Sequence, residues 1–461
     1  MVAILAPIAA SRADTQWIGS LSGSWFDSAN WSEGIPNTSI DAVIDSGIAA
    51  VPANPSAAGA LRLSVGATNS GLGALLGVSG NQLGSIYLTI GRDAGSSGLV
   101  SFTQAATALN LGSTIVGGGG SGVLTVEGAS EYALRTLSVG LQTGSTGTVI
   151  INGTGSAMRL FEANPDFESF ADIGSEGTGV VEVKDGASFA ESGSDLYLTL
   201  GSLPGGNGRI TASGAGSLVD AYDIQAGIRS QGTLQAQAGA LLTARTISLG
   251  SGSGGAGALS VSGAGSKATA ATLKVGSALG SGQVSVENGG ILQVTNLVIG
   301  SGVLGAPGSI KVRAAEIKTT SFQMVDGLAS TLRLEPGGVI RAEGLSLTSQ
   351  SRIEFQLAGL SNGLAEKVLA DNIVFDGVFS IELADGYVPE LGNTFDLFDF
   401  TSVSGQFDSF SLAPLPSGLS WDIGSLSTTG ELRVVPEPEI VVLMLFGMAL
   451  LLERVRRCRP V

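Results

Sequence analysis

Short apolar runs that end in glycine recur along the chain. They read Leu63-Ser-Val-Gly66, Leu88-Thr-Ile-Gly91, Thr114-Ile-Val-Gly117, Leu137-Ser-Val-Gly140, Ala171-Asp-Ile-Gly174, Leu198-Thr-Leu-Gly201, Ile224-Gln-Ala-Gly227, Ile247-Ser-Leu-Gly250, Leu273-Lys-Val-Gly276 and Leu297-Val-Ile-Gly300. Successive copies lie 23 to 27 residues apart, with one interval of 34. Within each period a second apolar run follows a glycine-serine corner, as in Gly122-Val-Leu-Thr-Val126 and Gly257-Ala-Leu-Ser-Val261. A third, shorter run follows a Gly-Ala-Ser or Gly-Ala-Gly-Ser corner. The alternation has period two, with Leu88, Ile90 and Leu99 expected on one side and Thr89 on the other, so the runs are strands.

One such coil cannot bury its own apolar face, and the copies must stack, each strand pairing with its equivalents one period before and after. The predicted fold is all-β: a parallel β-solenoid, or β-helix, of about ten or more coils with a period of about 25 residues. At a strand spacing of about 4.8 Å, ten coils give a stack on the order of 50 Å long. Glycine suits the corners because turns between strands of one coil often require positive φ.

Residues 1–13 hold a short apolar run, Val2 to Ala10, followed by small residues at Ser11 and Ala13. It reads as a signal peptide or its remnant, although a basic start is missing; the alternative is a buried first strand. Residues 14–60 are a Trp-rich cap containing Trp17, Trp25 and Trp31. Thr15-Gln-Trp-Ile-Gly19, Gly23-Ser-Trp-Phe-Asp27 and Ala29-Asn-Trp-Ser32 resemble the start of secreted passenger-type β-helix proteins. Clustered Trp serves either as a carbohydrate platform or as a layer covering the open end of a solenoid, and the second reading is preferred. Regular repeats fill 61–300, less regular coils 301–360, and an aromatic-rich C-terminal β cap 361–434. In that last stretch Phe395-Asp-Leu-Phe-Asp-Phe400, Gly405-Gln-Phe407 and Gly418-Leu-Ser-Trp421 resemble the segment preceding the sorting signal of secreted bacterial repeat proteins.

The end of the chain, 435–461, carries the sharpest motif. Val435-Pro-Glu-Pro438 precedes an apolar run, Ile440 to Leu452, predicted as a transmembrane helix, and then Arg454, Arg456, Arg457 and Arg459. This closely resembles a PEP-CTERM sorting signal. Pro436, Glu437 and Pro438 match the motif, which implies recognition by an exosortase, a membrane protease. The run of 13 residues is short for a bilayer, but arginine side chains can snorkel, and the basic tail favours the cytoplasmic side. Glu439 and Ile440 depart from the small polar residues usual after the motif, and Glu453 interrupts the junction. A plain membrane anchor is the alternative.

Composition narrows the chemistry. The 461 residues include 70 glycines, only 13% are charged, and the net charge is -16, which excludes a phosphate-tracking nucleic-acid binder. With no histidine, His triads and His metal sites are excluded, and the one cysteine, Cys458, lies in the tail. No catalytic residue, cofactor or metal site is assigned. Gly250-Ser-Gly-Ser-Gly-Gly255 fits a nucleotide-loop pattern, but no helix follows it. Asp396 and Asp399 could converge, whereas Arg159, Lys184 and Arg209 look too scattered for a lyase site. The interval of 34 arises from an insertion within 156–170, where Phe161, Glu162, Asp166, Phe167 and Glu168 form a speculative ligand loop.

These features point to an exported structural or adhesive protein, tethered to the inner membrane through its C-terminal helix before processing and then at the cell surface or with extracellular polysaccharide. The competing expectation is a polysaccharide lyase or glycoside hydrolase on a β-helix. An outer-membrane passenger protein would require a C-terminal barrel that the sequence does not contain.

Overall fold

The computed structural model describes residues 14–437 apart from 20–21, 55, 70–72, 162–168, 193–194, 278, 301–306, 326–329 and 360–365. About 14 parallel coils stack into a β-solenoid with a period near 25 residues. At about 4.8 Å per coil the stack is on the order of 70 Å long. It outgrows the ten glycine-marked copies at both ends, starting with Asp14–Gln16 and running to Ser409–Leu412.

Each regular coil contributes a seven-residue strand to a 16-stranded sheet and a longer strand to an 18-stranded sheet, as in Ala256–Ser262 and Lys267–Val275. The long strand joins the third run of one period to the glycine-terminated run, which were expected to be separate. In Leu241–Leu249 the inward residues are Leu242, Ala244, Ile247 and Leu249, while Arg245 and Thr246 in succession face outward. That break in alternation bends the strand, so the coil keeps three sides with two strands. The core is a set of ladders one residue per coil, for example Val65, Ile90, Val116, Val139, Ile173 and Leu200, all fully buried.

The corners explain the glycines. All ten glycines that end the repeated run have positive φ, from 62° at Gly201 to 76° at Gly276. Space is lacking as well: a Cβ at Gly250 would lie 2.1 Å from the Ser281 carbonyl oxygen. The second residue of the following seven-residue strand meets the same crowding, since a Cβ at Gly98 would lie 2.1 Å from the Val65 carbonyl oxygen. Gly98 must therefore face inward, carrying Val100 and Phe102 inward with it. Leu99 accordingly faces out and is half-buried, not on the side of Leu88 and Ile90 as the alternation suggested. A shift of one residue exchanges the two faces of a strand.

The opposite corner is clipped by buried serines. The Ser266 hydroxyl donates to the Ser262 carbonyl and accepts from the Gly239 amide of the preceding coil, at 2.8 and 2.9 Å. Ser217 repeats the arrangement with Ser213 and Gly186. The Gly-Ala-Gly-Ser motif thus pairs a turn glycine with a hydroxyl that ties one coil to the next.

At the N-terminal end Trp17, Trp25 and Trp31 are buried. Trp31 packs edge-on against both neighbours, at 5.1 and 4.9 Å between ring centroids, and its indole N–H donates to the Trp25 carbonyl. Their faces are covered and offer no platform to a sugar. At the other end parallel coils continue from Lys367 to Leu412, within a stretch whose composition suggests a separate cap. Phe355, Phe375, Phe379, Phe398 and Phe407 fill the last coils in a network of ring contacts. Among the described residues, only Thr394–Asp396, Leu419–Asp422 and Glu431–Pro436 form an antiparallel sheet. Among the described residues no helix is long and apolar enough to cross a membrane; the segment Ile440 to Leu452 lies outside them.

Candidate functional site

Beside the break in alternation of the long strands, open hollows mark a shallow trough on the outer surface of the 18-stranded sheet. One outward row follows it from coil to coil. Gly59, Gly84, Leu109 and Ala133 pair in register, followed by Arg159, Ala190 and Asp220. Thr243, Thr269, Gln293, Lys318 and Arg341 continue it, and Leu369 and Asp399 end it. Parallel pairing in constant register forces this alignment, because equivalent residues must sit one strand spacing apart.

Among the described residues, three hollows lie on that row. The first, of 550 Å³, is lined near the N-terminus by Leu83, Gly84, Leu109 and Ala133. The second, of 430 Å³, has Thr269, Gln293, Lys318 and Arg341 on one wall and Thr295, Thr320 and Glu343 on the other. The third shares Arg341 and adds Asp371, Asp399 and Thr401. Between the walls lie Ala270, Val294, Thr319 and Ala342, which continue the inward ladder of Ala244. Thr319 donates its hydroxyl to the Ser321 or Thr295 carbonyl, so it adds little polarity.

In the coils between the first two hollows the far wall carries aromatics. Tyr222 precedes Arg245 in its row; the guanidinium lies 4.9 Å from the Tyr222 ring centre, and Tyr197 packs 5.6 Å from that ring. Phe170 pairs in register with Tyr197 and is 39% exposed. Burial raises the carboxyls of Glu191, Asp220 and Asp223 above their ordinary range. At Glu191 a backbone N–H from Leu196 opposes that rise, while the like charges of Asp220 and Asp195 add to it.

Of the sequence candidates, Arg159 and Asp399 lie on the row itself. Phe161 ends the strand Ala157–Phe161, half-buried, and the chain resumes at Ser169–Ile173; Glu162, Asp166, Phe167 and Glu168 lie outside the described residues. Arg159 pairs with Glu131 at 2.9 Å, and Lys184 pairs with Glu182, so neither joins Arg209 in a cluster. Asp396 and Asp399 do converge, both on the Lys367 ammonium. Among the described residues no group of three acidic or thiol side chains is placed to hold a metal.

Of the sorting motif, Pro436 ends the last antiparallel strand opposite Leu419, and the Glu437 amide donates to the Gly418 carbonyl at 2.9 Å. Pro438, Ile440, Leu452, Arg454, Arg456, Arg457 and Arg459 lie outside the described residues. The row through Thr269, Gln293, Lys318 and Arg341 was missed by sequence reasoning, although a signal existed. Thr243, Thr269 and Gln293 each stand seven residues before the glycine that ends their run.

No protein-family model matches the chain, and no curated protein is similar to it.

Proposed function

We propose that this chain is an exported β-solenoid that binds a linear glycan lengthwise in the trough, as a structural or adhesive component of the cell surface or its surrounding polysaccharide. The observation that carries this reading is the second hollow, where four successive coils each set a hydrogen-bonding side chain on the row, Thr269, Gln293, Lys318 and Arg341. A pyranose unit is about as long as a coil is thick, near 4.8 Å, so a polymer lying along the axis would meet an equivalent row at each sugar. Threonine, glutamine, lysine, arginine and glutamate along the second hollow supply donors and acceptors for hydroxyl groups. Tyr222 and Tyr197 supply ring surface nearby. Export and processing through the Pro436-Glu437-Pro438 signal complete the reading and rest on the resemblance of 435–461 to a PEP-CTERM segment.

The test is size-exclusion chromatography of the purified chain with neutral and acidic polysaccharides. Co-elution without change in polymer size supports a binding rod. Shortening of a polymer refutes the non-catalytic role and turns attention to the carboxylates along the trough. Absence of co-elution with every polymer refutes glycan binding.

A further inference from the structure

The second hollow holds two cations in a strongly acidic protein, and their surroundings decide which glycan they suit. Glu316 stands two residues before Lys318 on one strand, with Thr320 following on the same outward face. Its carboxylate lies 3.0 Å from the Lys318 ammonium and 2.6 Å from the Arg341 guanidinium. Glu343 lines the same hollow, and Asp371 and Asp399 lie in the next hollow, which Arg341 shares. Burial alone would raise the Glu316 carboxyl, but hydrogen bonds from Lys318 and Arg341 outweigh it and hold the group below its ordinary range. The carboxylate is thus ionised at neutral pH and neutralises charge that an incoming anion would otherwise meet.

We propose that the trough selects a neutral glycan and that Glu316 excludes polyuronates by occupying Lys318 and Arg341. This rests on the reading of the trough as a glycan site and gives that site its substrate class. A uronate carboxylate entering here would have to displace Glu316 from both cations while facing Glu343 and a chain of net charge -16. A neutral sugar meets no such competition. Its hydroxyls donate to Glu343 and accept from the N–H groups of Lys318, Arg341 and Gln293 that Glu316 does not occupy.

Glu316→Gln tests this, because the amide keeps the shape and removes the charge. Affinity of the full chain for a neutral β-glucan and for a polyuronate is measured by titration calorimetry at low and high salt, with circular dichroism confirming the fold. The wild type is expected to bind the neutral polymer at least about tenfold more tightly than the polyuronate. Glu316→Gln is expected to gain polyuronate binding by about tenfold, the worth of one charge-assisted hydrogen bond, and to lose that gain in high salt. Adding Lys318→Met to Glu316→Gln should abolish the gain. Polyuronate binding by the wild type equal to its neutral binding overturns the role of Glu316 and leaves the glycan site standing, as does a well-folded Glu316→Gln protein with no gain. Failure of both polymers to bind the wild type overturns the glycan reading itself.

Discussion

Glu366 offers a stability test with a calculable size. Its side chain is 6% exposed where the strand Lys367–Phe375 begins. Burial pushes its carboxyl from 4.5 up to about 7, against the opposing hydrogen bonds of its own amide and that of Gly337. A displacement of that size corresponds to about 3 kcal/mol. The folded state therefore binds this proton more tightly than the unfolded state, so stability falls as pH rises between the two values. The contribution is fully present below pH 4.5 and lost once pH exceeds about 7. Glu366→Gln is neutral throughout. It should match the wild type at pH 4 and exceed it by about 3 kcal/mol at pH 8. Urea denaturation of both proteins at the two pH values, followed by circular dichroism, measures the difference. Because the pH dependence of every other group cancels in the comparison, parallel stability curves for the two proteins would refute the argument.

The remaining predictions concern the corners. Gly250→Ala combines positive φ with a Cβ 2.1 Å from a carbonyl oxygen, whereas Gly144→Ala has φ of 79° and nothing within 4 Å. Gly144→Ala should cost about 1–2 kcal/mol from conformation alone, and Gly250→Ala clearly more; equal melting temperatures would refute the crowding argument. Ser266→Ala leaves the Gly239 amide without its partner and should cost about 1–3 kcal/mol in thermal or urea unfolding. Addition of a metal chelator should leave the melting temperature unchanged, since the described coils close on backbone pairing and apolar ladders.

The solenoid was legible because its punctuation carries two constraints at once. At Gly66 or Gly250 both φ and space demand glycine, so the residue recurs without exception across ten copies. Orientation of the second run was less legible, since Leu99 and Val100 are both apolar and alternation cannot say which faces in. The decisive residue is Gly98, whose missing side chain leaves no hydrophobic mark. The trough was hidden for another reason. Thr269, Gln293, Lys318 and Arg341 look like ordinary solvated positions one at a time, and only inter-coil register places them in a line. The solenoid's continuation to Leu412 was obscured because its later coils are filled with phenylalanine in place of valine and alanine, a composition that reads as a closing layer.

The crowded corners also set how this protein can change by mutation. Every missense change that one nucleotide substitution can make in a glycine codon introduces a Cβ, and at Gly250 or Gly98 that atom would strike the backbone of an adjoining strand. A glycine-rich chain of this kind is therefore less permissive than its low complexity suggests. Loss or duplication of a whole period leaves each corner opposite another corner of the same kind, so variation in length meets less resistance than variation at a single position.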